Sequence, residues 1–288
     1  MSSLFDFDQE PDAYAVMGNP IAHSKSPQIH RAFAQQTGQR IVYSAIQVDP
    51  GGFAQAVGNF FANGGKGLNV TVPFKREAWQ LANELGEEAR QAGAVNTLLL
   101  NAEGGLVGRN TDGIGLVRDL LQNHHAAINN KRVLLVGAGG AARGVMQPLL
   151  AETPSRLVIA NRTVERAHEL AADFSALGEV SGSGFDDLAG QSFDLIINAT
   201  AASLQGELPP LPQDCCADDA WCYDMMYAAK ATPFMLWAQQ HGAGHAVDGL
   251  GMLVEQAAES FYLWRGVRPQ TAPVIQSVRE SLLNPSSP

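Results

Sequence analysis

The chain has 288 residues, 45% of them apolar, enough for one large domain or two ordinary ones with sizeable cores. It carries 19 basic against 29 acidic residues, a net charge of −10, and no basic run interrupts that acidity, so nucleic acid and anionic membrane surfaces are excluded as partners. No apolar stretch reaches the roughly 18 residues that a membrane span needs. The start of the chain, residues 1–12, is polar and acidic and lacks the basic and apolar segments of a secretion signal, so a cytoplasmic location is expected. Cys215, Cys216 and Cys222 are the only cysteines. Their odd count fits no disulfide framework and their spacing fits no zinc pattern, so no metal site is expected.

The first 110 residues alternate strand-like and helix-like segments. Residues 14–18 are a short apolar run closed by Asn19-Pro20, a turn signal. The spacing predicts a helix over 27–37 ended by Gly38, a strand over 41–48, a helix over 52–62 and a strand over 67–72. It then predicts one amphipathic helix over 74–85 and two strands, 95–100 and 106–108, joined by a Gly-rich turn. This alternation implies a largely parallel sheet with helices on its faces. A second series follows: helix 115–121, strand 132–136, helix 143–150 with Pro148 bending it or ending it early, strand 157–160, helix 165–174 and strand 193–198. Residues 208–219, rich in proline and acids, read as a loop before strand 221–226 and helix 232–241. Two helices, 251–265 and 273–283, complete the chain.

Gly137-Ala138-Gly139-Gly140-Ala141-Ala142 follows a buried strand and opens a helix, the context of a dinucleotide-binding turn. Glycines there let backbone N–H groups approach a pyrophosphate, and the helix N-terminus adds partial positive charge. The next strand ends in Asn161-Arg162-Thr163. An NAD site usually has an acid at that point, whereas a guanidinium pairs with a 2′-phosphate, so NADP(H) is the expected cofactor.

Four further motifs place hydrogen-bonding side chains at loop or strand ends: His23-Ser24-Lys25-Ser26-Pro27, Asn69-Val70-Thr71-Val72-Pro73-Phe74-Lys75, Ala94-Val95-Asn96-Thr97 and Asn110-Thr111-Asp112-Gly113. Ser24 and Ser26 stand near a helix start, where hydroxyls and N–H groups hold a carboxylate. A lysine beside a carboxylate, as Lys75 and Asp112 could be, can give a proton to a developing alkoxide and take it back in reverse. Asn69 and Thr71 can both donate to and accept from a ring hydroxyl. With these motifs in this order, together with Tyr223-Asp224-Met225-Met226-Tyr227 and the run 248–258, the chain resembles the shikimate dehydrogenase family over nearly its whole length.

The resemblance implies NADPH-dependent, reversible reduction of 3-dehydroshikimate to shikimate, on the route to chorismate and the aromatic amino acids. It implies an α/β fold of two domains: a substrate domain with a mixed sheet, residues 1–112 completed by helices of 249–288, and a Rossmann-type NADP domain, 113–248, with a cleft between them. It assigns catalysis to Lys75 and Asp112. Substrate binding falls to Ser24, Ser26, Asn69, Thr71, Asn96, Tyr227 and Gln256 besides that pair. The cofactor falls to Gly137, Ala138, Gly139, Gly140, Ala141, Asn161, Arg162, Thr163, Thr200, Met225, Gly249 and Met252. One departure stands out. Family members often follow Asn-Ala-Thr with two small hydroxyl residues and a glycine, where this chain has Ala201-Ala202-Ser203. Three other readings remain at this point: a broader quinate/shikimate dehydrogenase, with NAD open as its cofactor, an NADPH-binding regulatory module without turnover, and a structural or interaction protein, which would have no reason to hold so many polar groups at strand ends. Monomer and homodimer are both open.

Overall fold

The computed structural model describes residues 10–284, apart from the side chains of residues 204 and 205. Most of the acidic start and the last four residues of the predicted substrate domain lie outside the described residues. The first part of the chain runs β1 (Asp12–Gly18), α1 (Ser26–Thr37), β2 (Ile41–Gln47), α2 (Phe53–Ala62), β3 (Gly67–Val70), α3 (Lys75–Leu81), β4 (Glu84–Leu85), α4 (Glu87–Ala92), β5 (Thr97–Leu100) and β6 (Leu106–Arg109). These six strands form one sheet in the order β2-β1-β3-β5-β6-β4. The pairs of β1 with β2 and β3, and of β4 with β6, are parallel; β5 is antiparallel to both neighbours. The sheet is therefore mixed rather than largely parallel. The short turn between β5 and β6 is the cause: Asn101 Oδ1 accepts from the N–H groups of Glu103 and Gly105, and so short a connection can only reverse the chain.

The single helix expected over 74–85 is two elements. Ala82 turns extended (φ −67°, ψ 134°) and the backbone of Asn83 bonds Leu106, so Glu84 and Leu85 join the sheet instead. Leu85 still meets the same apolar cluster as Leu81, which is why a helical spacing was visible there. The helix α4 that follows was not legible in the pattern.

The second part runs α5 (Asp112–Arg118), a π-turn (Asp119–Asn123), β7 (Arg132–Val136), α6 (Gly140–Ala151), β8 (Arg156–Ala160), α7 (Val164–Phe174), β9 (Val180–Ser183), β10 (Phe193–Asn198), β11 (Cys216–Asp224), α8 (Pro233–Gln240) and β12 (His245–Asp248). The sheet order is β12-β11-β10-β7-β8-β9, every pair parallel. In chain order that is the 3-2-1-4-5-6 arrangement of a Rossmann sheet, whose direction reverses between β7 and β10. Both faces are covered, so β7 and β10 are almost wholly buried and read as continuous apolar runs. Pro148 lies inside α6 without ending it, because Val145, Met146, Leu149 and Leu150 bury one face on either side of it. β11 begins at Cys216, inside the expected loop: its register against β10 jumps from Cys216 to Trp221, and that irregularity hides the strand. The cysteines are free, Cys215 and Cys222 buried.

The chain then returns. Helices α9 (Leu250–Arg265) and α10 (Ala272–Leu283) pack with α1 through Ile29, Phe33, Val254, Phe261, Val274 and Val278. α5 packs against both α9 and α6, so it joins the two halves.

His30 of α1 is fully buried in this packing. It stacks face to face on Tyr43 (centroids 4.1 Å, 5°), and neither ring nitrogen has a hydrogen-bond partner of good geometry. Burial pulls its pKa from 6.5 down to about 3, with neighbouring Asn69 opposing. The unfolded chain therefore binds a proton that the folded chain refuses throughout that interval. Stability contributed by neutral His30 is complete above pH 6.5 and falls as the pH drops towards 3. Urea titrations from pH 7 to 4 are expected to show a falling midpoint, and His30→Phe is expected to flatten that fall; an equal slope in the variant would remove His30 from the acid response.

Candidate active site

A cavity of about 290 Å³ lies where the two halves meet. Ser24, Lys25 and Ser26 reach it from the start of α1, Asn69 and Thr71 from the end of β3, and Lys75 from the first residue of α3. Asn96 comes from the loop before β5, Asp112 from the start of α5, and Gln256 from α9. Met225, Tyr227, Gly249 and Met252 close the side facing the second sheet. The structure thus brings together every residue predicted for substrate, from sequence positions 24 to 256.

At its centre Lys75 Nζ lies 2.6 Å from Asp112 Oδ2, both groups partly buried. The other carboxylate oxygen accepts from Asn96 Nδ2 at 2.8 Å. Asn96 is itself held: its Nδ2 also donates to Thr111 Oγ1 at 3.0 Å, and its Oδ1 accepts from the Thr111 N–H and from Thr97 Oγ1, both at 2.9 Å. An acid whose two oxygens have separate donors cannot rotate freely, so it fixes the ammonium in the cavity. Asp112 does not cap α5; its backbone N–H is taken by Asn110 Oδ1. Nor does Ser26 cap α1: the cap position is Lys25, without a side-chain bond, and Ser24 Oγ accepts the N–H of Ser26 at 3.3 Å. Tyr227 has its phenol pKa raised, by burial first and by the charge of Asp248 second, so it enters the cavity as a donor.

The predicted cofactor residues divide. Gly137, Thr200, Met225 and Gly249 follow β7, β10, β11 and β12 at the carboxyl ends of adjacent strands, where the strand order reverses. Gly137 has φ +108°, which side chains rarely adopt, and a Cβ there would lie 3.0 Å from Thr200 Cγ2. At Gly249 a Cβ would stand 2.4 Å from the Met225 carbonyl oxygen, so only glycine lets these loops meet. A Cβ on Gly139 or Gly140 would meet nothing within 4 Å, so the turn opens onto free space at the start of α6. That room at a helix N-terminus fits a pyrophosphate. Ala138, Gly139 and Gly140 border a second cavity of about 300 Å³ with Arg143 and Arg166. Asn161, Arg162 and Thr163, at the end of β8 beside that turn, and Ala141 border neither cavity.

Arg166 is a residue the sequence reading passed over. It stands one turn beyond Arg162 in the first turn of α7, an i, i+4 spacing that was available to be read. The loop departure also has a structural reading. Ser203 Oγ donates to Asp224 at 2.6 Å, so a hydroxyl still anchors this loop, while Thr200 Oγ1 turns inward to Asn198 at 2.7 Å. Among the described residues, no group of three or more His, Cys, Asp and Glu side chains is placed to hold a metal ion, and no helix is long and apolar enough to cross a membrane.

Three family models match this chain: the shikimate dehydrogenase substrate binding domain over residues 16–98, shikimate / quinate 5-dehydrogenase over 119–205, and the shikimate 5′-dehydrogenase C-terminal domain over 249–279. The chain belongs to the shikimate dehydrogenase family. Among relatives named shikimate dehydrogenase (NADP(+)), that of Alkalilimnicola ehrlichii is 62% identical over 93% of this chain and 98% of its own length. That of Nitrosococcus oceani is 57% identical over 96% and 99%. A solved shikimate 5-dehydrogenase from Thermus thermophilus, in complex with NADP(H) and shikimate, superimposes with a TM-score of 0.83 at 29% identity and covers 94% of this chain and all of that one. Within this family, the first sheet belongs to the N-terminal substrate-binding domain and the second sheet is the Rossmann-like part.

Proposed function

We propose that this chain reduces 3-dehydroshikimate to shikimate with NADPH, reversibly, in the cytoplasm, as a step of chorismate and aromatic amino-acid synthesis. The observation that carries the reading is the Lys75–Asp112 pair at 2.6 Å in a cavity where hydroxyls, amides and one phenol stand among apolar side chains such as Val16, Ile21, Met225 and Leu253. Bound NADPH supplies the hydride. Lys75 gives a proton to the oxygen that becomes the alcohol and recovers it in the reverse direction, while Asp112 orients the ammonium and accepts from the same hydroxyl. Ser24, Ser26 and Tyr227 receive the carboxylate of the ring acid. Asn69, Thr71, Asn96 and Gln256 receive its hydroxyls, and a site built to bond hydroxyls rejects analogues that lack them. Residues 1–112 with 249–288 form the substrate domain in this reading, and 113–248 the cofactor domain.

Gly137, Ala138, Gly139, Gly140 and Ala141 would hold the pyrophosphate, and Asn161, Arg162 and Thr163 the 2′-phosphate, with Arg166 one turn away. Thr200, Met225, Gly249 and Met252 would hold the nicotinamide end. Arg162 with no acid at the strand end favours NADP over NAD. Arg162→Ala is expected to raise the KM for NADP by about 10- to 100-fold, the value of a charge-assisted contact, and to leave that for NAD within about twofold. Parallel losses with both cofactors would place Arg162 elsewhere.

Nicotinamide absorbance tests the whole reading. Fast turnover is expected with shikimate and NADP, and slow turnover when NAD replaces NADP or quinate replaces shikimate. Comparable rates in all three would indicate the broader quinate/shikimate activity, and NADP binding without turnover would indicate a regulatory module.

A further inference from the structure

Asn69 stands in the cavity wall with its amide committed at both ends. Its Nδ2 has two hydrogens and three acceptors in reach: the Asn96 carbonyl oxygen at 3.2 Å, Thr97 Oγ1 at 3.1 Å and Ser260 Oγ at 3.0 Å. A backbone carbonyl only accepts, so the nitrogen is the end that faces this side. Ser260 is fully buried on α9, one turn beyond Gln256, and donates its own hydrogen to the Gln256 carbonyl at 3.1 Å, leaving its oxygen to accept. At the other end Asn69 Oδ1 accepts from the Tyr43 hydroxyl at 2.7 Å. Burial raises the Tyr43 pKa well above 10, against a weaker opposing hydrogen bond from Ser26, so the phenol stays protonated and remains a donor. Both hydrogens of Asn69 are thus taken up inside the protein, so a hydrogen bond from Asn69 to a ligand in the cavity it lines can only be accepted, at Oδ1.

We infer that Tyr43 and Ser260 are positioning residues that make Asn69 an acceptor-only contact, so that the site selects a substrate presenting a hydroxyl donor to it. This rests on the proposed function for the identity of the ring acid, and deepens it. The oxygen that alternates between carbonyl and alcohol cannot donate in the ketone form, so it belongs to Lys75 and Asp112. Asn69 faces a hydroxyl that the reaction leaves unchanged. A contact made equally to substrate and product binds both uniformly, and its loss appears in KM rather than in kcat.

The test is a set of double-mutant cycles by initial rates: Tyr43→Phe and Ser260→Ala, each in the parent and in an Asn69→Ala background. Each single change is expected to raise the KM for shikimate about five- to tenfold, the value of one hydrogen bond, while the KM for NADP and kcat hold within about twofold. In the Asn69→Ala background neither is expected to add more than about twofold. Full-sized increments in that background, or a fall in kcat with unchanged KM, would overturn the inference. Should Ser260→Ala not fold, the Tyr43→Phe cycle decides alone. A second readout is independent of turnover. The Asn69 side-chain amide resonances, identified by their loss in Asn69→Ala, are expected to exchange slowly with water and to shift in Tyr43→Phe; fast exchange refutes the clamp. A chain inactive on shikimate but with a protected Asn69 amide would instead refute the function and leave the clamp standing.

Discussion

Lys75→Ala is expected to lower kcat by at least ~10², because positioned acid–base help contributes roughly 10²–10⁴ to such a step. The geometry concentrates the effect on kcat. Lys75 opens α3 and meets Asp112 at 2.6 Å, and Asp112 is held from its other oxygen by Asn96. With alanine in place no cation stands beside Asp112 Oδ2, and the alkoxide formed on reduction has no proton to take. Ser24, Ser26, Tyr227 and Gln256 are untouched, so shikimate still binds. Stopped-flow absorbance for kcat, with calorimetry for shikimate and NADP, separates the two effects. A turnover within a few-fold of the parent would take Lys75 out of the chemistry, and a loss confined to binding would make it a carboxylate or hydroxyl ligand instead.

Asp224→Ala is expected to lower the stability of the fold by about 3 kcal/mol, as removal of the shared acceptor of several buried donors does. Asp224 is fully buried at the end of β11. Its Oδ2 accepts from Ser203 and Thr232, each at 2.6 Å, and its Oδ1 from Asn198 Nδ2 and the Met226 N–H, each at 3.1 Å. Four donors lose their acceptor together, and each buried donor left without one costs about 1–3 kcal/mol before relaxation. In a chain of this size the change corresponds to roughly 6–12 °C in Tm. Those donors belong to the loop carrying Thr200, the segment leading to Tyr227, and Thr232, which caps α8. NADP binding should therefore weaken along with the fold, and Asp224→Asn should lose less because an acceptor oxygen survives. An unchanged urea midpoint in Asp224→Ala would show that the carboxylate does not tie these segments together.

The second sheet was largely legible because its strands are buried on both faces. β7 and β10 appear as the predicted runs 132–136 and 193–198, and the glycine turn announces itself by composition. β9 and β12 were missed: they are short edge strands with few apolar residues, and they pair only because a neighbour is already in place. The break between α3 and β4 was illegible for the same reason, since it depends on Asn83 meeting Leu106 across the sheet.

Of the site, the sequence by itself determined the chemical groups. Short motifs ending strands and opening helices carry the serines, amides, lysine and carboxylate, and local geometry obliges such ends to face one edge of a sheet. The arrangement of those groups came only with the tertiary structure. Asp112 meets Lys75 across 37 positions, Asn69 meets Ser260 across 191, and Tyr43 reaches Asn69 from a different strand of the sheet. No periodicity encodes such pairs. They arise when β1, lying between β2 and β3, fixes the register of both neighbours, and when α9 returns from the second sheet to pack beside α1. Residue type is local information, whereas the direction in which an amide points is decided by every donor and acceptor folded around it.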